Sequence, residues 1–151
     1  MKRISYETSP LSIMISKELE KKREKFLIRV LITSAILILA LSMEALMMAK
    51  DVDVYRSFLL KNPGLSFDEY INSVMFNLFI RVLSPLVISL YTFFTVKKFG
   101  VNFFYKVFFS GMTVIEIINL ILQFKIGSIF YYVAIILNFI LLFIIAREER
   151  V

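Results

Sequence analysis

INSVMFNLFIRVLSPLVISLYTFFTV, residues 71–96, decides the fold. It holds one charge, Arg81, and exceeds the roughly 20 residues needed to carry a helix across about 30 Å of hydrocarbon. Moving outward from it, charge and Gly/Pro interruptions mark off three more stretches of the same kind, at 26–49, 101–122 and 127–146. A chain of 151 residues that is 59% hydrophobic lies well outside the composition of water-soluble domains. Its mean hydropathy of +0.79 says the same. The expected fold class is an all-α integral membrane protein: an antiparallel four-helix transmembrane bundle, with an N-terminal cytoplasmic amphipathic helix.

The expected division is a cytoplasmic segment at 1–25, a four-helix transmembrane domain at 26–146, and a cytoplasmic tail at 147–151. The net charge of +6 is distributed unevenly. Eight of the 18 basic residues stand at or before the start of the first span: Lys2, Arg3, Lys17, Lys21, Lys22, Arg23, Lys25 and Arg29. With the N-terminus in the cytoplasm, Lys97, Lys98, Lys106, Arg147 and Arg150 also lie inside, and only Lys50, Arg56, Lys61 and Lys125 lie outside. Positive residues concentrate on the cytoplasmic side of membrane helices, so both termini are placed there, in a plasma (inner) membrane. The first span is too long and starts too late for a cleaved signal peptide and is read as a retained helix.

Ser9 followed by Pro10 reads as a helix start. Leu11, Ile15, Leu19 and Phe26 then fall near one face, while Glu18 can pair with Lys22 and Glu20 with Arg23. The partner implied for this basic helix is a bilayer surface with anionic headgroups, or a soluble docking protein. Nucleic acid is not expected, because four Glu residues interleave with the basic ones and no groove-reading motif accompanies them.

Between the first two spans, Val52, Tyr55, Phe58 and Leu59 recur at helical spacing and Asn62-Pro63-Gly64 ends the segment. Ser66 with Glu69 three residues later matches a capping box, which starts the next helix near Phe67. Phe99-Gly100 and residues 123–128 form the remaining turns. Tyr55, Tyr70, Tyr131 and Tyr132 on the outer side, with Tyr91 and Tyr105 nearer the inner side, read as interfacial belts.

Candidate functional residues are the polar ones inside the spans. Arg81 lies ten residues below Ile71, about 15 Å along the helix and near the bilayer midplane, where a guanidinium requires a partner. Ser73, Asn77, Arg81 and Ser84 follow at spacings of three and four, and Thr92 and Thr95 extend the stripe. Pro85 has no N–H for the Arg81 carbonyl, so a kink is expected there.

Glu116 is the expected counter-charge, with Asn119 and Gln123 on its face; Glu44 lies near the outer end of the first span, and Asn138 is near midplane in the fourth. These residues are expected to form an intramembrane polar network of Arg81, Glu116, Glu44, Asn77, Asn119 and Asn138. Ser110-Gly111 and Ala35, Ala40 and Ala45 are expected to let helices approach closely, and Met43, Met47 and Met48 to fill the outer end of the first.

Cysteine and histidine are absent, and tryptophan with them. That removes thiol nucleophiles, imidazole bases and the soft metal ligands, so no metal or other cofactor is expected. No nucleophile–base pair or phosphate loop is visible, and the chain is not expected to be an enzyme. Two functions remain. One is an accessory or interaction subunit that binds another membrane component, through a membrane-protein partner or as a homo-oligomer. The other is an ion or small-solute transport or pore subunit, working as an oligomer through Arg81 and Glu116.

Overall fold

In the computed structural model, residues 10–123 and 128–148 are described. They form five helices: α1 Pro10–Lys50, α2 Val52–Lys61, α3 Phe67–Phe99, α4 Phe103–Leu122 and α5 Ile129–Arg147. No strand occurs among the described residues. All but α2 are long and apolar enough to cross a membrane. The outward faces are strongly apolar, with Phe76, Phe79, Phe94, Phe104, Ile115 and Phe143 each more than half exposed.

α1 is a single helix of 41 residues. The segment expected to be a separate amphipathic helix continues into the first span without a break. At 1.5 Å per residue α1 is about 60 Å long, roughly twice the hydrocarbon thickness, so its first turns project beyond the bundle. Residues 11–22 are all exposed, and no face of that segment is set apart by burial. Neither Glu18–Lys22 nor Glu20–Arg23 closes to an ion pair within 4 Å; among the described residues the pairs are Arg56–Asp53 and two at Arg81. The expected cap at Ser9 lies outside the described residues, as do Arg150 and most of the last turn with Lys125.

The short connections are fixed by caps. Asp51 accepts from the backbone N–H of Asp53 (2.9 Å) and Val54 (3.2 Å), so α2 starts at once after α1. Gly64 at φ 96° makes the turn that follows, a backbone conformation that side chains with a Cβ rarely adopt. The capping box forms in full: Ser66 N–H donates to Glu69 Oε2 at 2.6 Å, and Glu69 N–H donates to Ser66 Oγ at 3.3 Å. α3 then runs without interruption through Pro85 to Gly100, whose φ of 71° ends it. Val101 is buried in the turn, and Asn102 caps α4 through the Tyr105 N–H at 2.7 Å.

α1 packs along both α3 and α5, α4 packs along α5, and α3 meets α4 over a much shorter length. Phe26, Val30, Leu37 and Leu41 of α1 meet Ile88 of α3 and Leu141 of α5 in the main apolar core. Three of the tyrosines join helices. The Tyr70 hydroxyl, at the start of α3, donates to the Met48 carbonyl at the end of α1. The Tyr131 hydroxyl, at the start of α5, donates to the Leu120 carbonyl at the end of α4, at 2.8 Å. Tyr105 meets the Thr92 hydroxyl. All three rings are buried, because a phenol satisfies an apolar site with its ring and a helix-end carbonyl or hydroxyl with its oxygen. Tyr91 and Tyr132 remain exposed.

Candidate functional site

The centre of the bundle holds one guanidinium between two carboxylates. Arg81 Nη2 is 3.1 Å from Glu44 Oε2, and Arg81 Nε is 3.9 Å from Glu116 Oε1. All three are buried, with Glu44 at 0% exposure. The cluster ties α1, α3 and α4 together. α3 and α4, which meet over a short length, are also joined by Thr92 and Tyr105.

Each member is placed by helical periodicity. On α3, Val74, Arg81, Pro85, Ile88 and Thr92 form one buried stripe. On α1, Val30, Ser34, Leu37, Leu41 and Glu44 do the same at spacings of three and four. On α4, Phe109, Thr113, Glu116 and Leu120 complete the set. α1 lies between α3 and α5, and α2 folds back against the start of α3 through Tyr55 and Phe58, whose rings both meet Tyr70 at 5.2 Å. With Tyr70 bound to Met48, the C-terminal end of α1 is covered. Glu44 is thereby closed off from water although it lies only about 7 Å from the end of its span.

The expected asparagines separate into two groups. Asn138 is buried, and its side-chain nitrogen donates to the Ala134 carbonyl of its own helix at 2.9 Å. Asn77 and Asn119 are exposed, a correction to the expectation that they complete the interior network. Neither carboxamide hydrogen-bonds to a described residue. Ser73 is exposed as well, and Ser84 is half-buried.

The close approach expected of small residues is also divided. Ala40 and Ala45 are buried against neighbours, Ala35 is exposed, and a Cβ added at Gly111 would meet nothing within 4 Å. Ser34 was not anticipated: its hydroxyl is wholly buried with no hydrogen-bond partner among the described residues. Its membership of the face that carries Glu44 was the available signal.

There is little open space at the cluster. A recess beside Arg81, lined by Leu41, Ala45, Val74, Asn77 and Leu78, measures about 10 Å³, room for about one water. Among the described residues no group of three or more acidic, His or Cys side chains is arranged to hold a metal ion. The cluster offers unequal charge: with both carboxyls ionised, two negative groups share one positive one. That arrangement can fix helix register or accept a proton; it has no room to hold a solute. No protein-family model matches this chain, and neither a curated protein nor a solved structure matches it.

Proposed function

We propose that this protein is an accessory subunit of a membrane assembly. It would be an antiparallel bundle crossing a plasma membrane four times, with both termini in the cytoplasm, and would bind another membrane protein through a polar face of α3. The carrying observation is Asn77. It lies about 9 Å inside the span that begins at Ile71, yet it is exposed on the bundle surface while the interior beside it is filled and charge-paired.

A carboxamide left in hydrocarbon without a partner costs several kcal/mol, of order 2–7 depending on the reference state. A helix of a second protein that supplies a donor or acceptor removes that cost. Asn119 is less informative, since it is about 5 Å from the end of α4 and can reach the headgroups.

The transport reading draws on the unequal charge of the Arg81 cluster, which suits an exchangeable proton. A recess with room for about one water opposes it, because a solute path needs continuous space.

The test is native mass spectrometry of the protein extracted gently from its own membrane at natural abundance, beside an Asn77→Leu variant. A stoichiometric second protein, lost in Asn77→Leu while the melting temperature is kept, is the expected result. A homo-oligomer that retains its stoichiometry in the variant would overturn the proposal in favour of transport.

A further inference from the structure

A second recess lies at the other end of the bundle, where α1 enters the apolar zone and α3 leaves it. It measures about 60 Å³ and is lined by Glu20, Arg23, Glu24 and Leu27 of α1 and Lys97 of α3. Its chemistry is balanced, with two cations and two carboxylates on a leucine floor. These groups do not neutralise one another by contact, since no ion pair within 4 Å joins any of them among the described residues. Arg23 Nε is closed to solvent and has no hydrogen-bond partner, whereas the neighbouring Lys21, Lys22 and Lys25 are exposed. The recess is therefore built differently from the basic helix around it.

We propose that this recess is a headgroup site for a phospholipid bearing both a phosphate and a primary ammonium, phosphatidylethanolamine being the common example. The inference rests on the membrane reading but not on the accessory role. Arg23 and Lys97 are placed to take the phosphate from two different helices, and Arg23 supplies the planar donors that suit it. Glu20 and Glu24, one turn apart on α1, are placed to accept from the ammonium. Leu27 lies where the first span begins, which puts the recess at headgroup depth. Phe94, one turn further into the apolar zone from Lys97 and 70% exposed, continues the site as an acyl-chain surface.

This charge pattern selects among lipids. An anionic headgroup without an amine brings the two carboxylates at most neutral hydroxyl donors and leaves their charge uncompensated. A choline headgroup carries no N–H to donate.

The test is native mass spectrometry of the delipidated full-length protein, offered equimolar phosphatidylethanolamine, phosphatidylcholine and phosphatidylglycerol with identical acyl chains. Retention of phosphatidylethanolamine over phosphatidylcholine by about fivefold, the scale of one net hydrogen bond, is expected. Arg23→Gln with Lys97→Gln should lower retention of all three lipids, and Glu20→Gln with Glu24→Gln should raise phosphatidylglycerol above phosphatidylethanolamine. Equal retention of phosphatidylethanolamine and phosphatidylcholine by the unaltered protein would overturn the proposal without any variant having to fold. An unchanged order in the glutamate double variant would also overturn it. Release of the protein from membranes by alkaline carbonate, with no lipid retained, would instead overturn the membrane reading on which it rests.

Discussion

Arg81 lies closer to Glu44, at 3.1 Å, than to Glu116, at 3.9 Å, so the tighter of its two ion pairs joins α3 to α1 and not to the next helix in the chain. The partner read from depth along the helix was Glu116. Depth is one coordinate of three, however, and α1 packs along α3 far more extensively than α4 does. Breaking a buried pair leaves a charge without compensation and costs about 3–5 kcal/mol. Arg81→Leu leaves two such carboxylates, and is expected to lower the melting temperature in detergent sharply. An unchanged melting temperature would remove the cluster from any structural role.

The two carboxylates are expected to respond unequally. Glu44 is wholly buried and in the closer contact, so Glu44→Gln should destabilise the bundle clearly. Glu116→Gln leaves one cation facing one anion and relieves the surplus negative charge, so it should be neutral or stabilising. Thermal melts of both variants in one detergent would decide the matter. The reverse order would show that Glu116 is the stronger partner.

The start of α3 gives a pH-dependent prediction outside the apolar zone. Glu69 precedes the span 71–96, and the backbone N–H of Ser66, followed by its hydroxyl, holds the Glu69 carboxyl below its ordinary value of 4.5. A depressed folded-state pKa contributes stability that is present above that ordinary value and is lost as pH falls through the depressed one. Acidification below 4.5 should therefore weaken the unaltered protein more than Glu69→Gln, in which no carboxylate remains to be protonated. Ser66→Ala, which removes the capping hydroxyl, should cost about 1 kcal/mol at neutral pH. Parallel acid dependences in the unaltered protein and Glu69→Gln would show that the box contributes nothing.

What the sequence revealed and what it did not can be separated by residue. The four long helices were legible because length and apolar composition are properties of each segment alone, and the start of α3 was legible because a capping box is local chemistry. The continuity of α1 was not. The change from charged to apolar at Lys25–Phe26 is a change of side-chain composition, and backbone hydrogen bonds take no account of it.

The asparagines show a second limit. Four residues turn a helix through 400°, about 40° past a full turn, so Asn77 stands on the shoulder of the stripe that buries Arg81. Whether a shoulder is covered depends on which neighbouring helix lies beside it, and a single helix's pattern does not encode that. Asn138 and Glu44 are buried because their helices have neighbours on the relevant sides.

Tyr131 and Tyr132 test whether these rings anchor depth or join helices. Tyr131 is 1% exposed and donates to Leu120, whereas Tyr132 is 43% exposed. Tyr131→Phe should cost about 1 kcal/mol, the usual net value of one hydrogen bond, with more lost if the Leu120 carbonyl stays buried and unsatisfied. Tyr132→Phe should leave the melting temperature unchanged. Equal effects would return both residues to the interfacial belt.

Gly111 separates the isolated bundle from an assembled one. In the bundle it sits inside α4 with open space where a side chain would begin, so no described residue requires a glycine there. Glycine in a helix interior is about 1 kcal/mol less favourable than alanine, and Gly111→Ala should therefore raise the melting temperature of the purified protein. If α4 instead meets a helix of a second chain at this position, the added methyl would obstruct the approach. The variant would then melt higher alone and lose its partner on extraction from the membrane. A lower melting temperature for the isolated variant would contradict the exposed placement of Gly111 and put a neighbouring helix within reach of it.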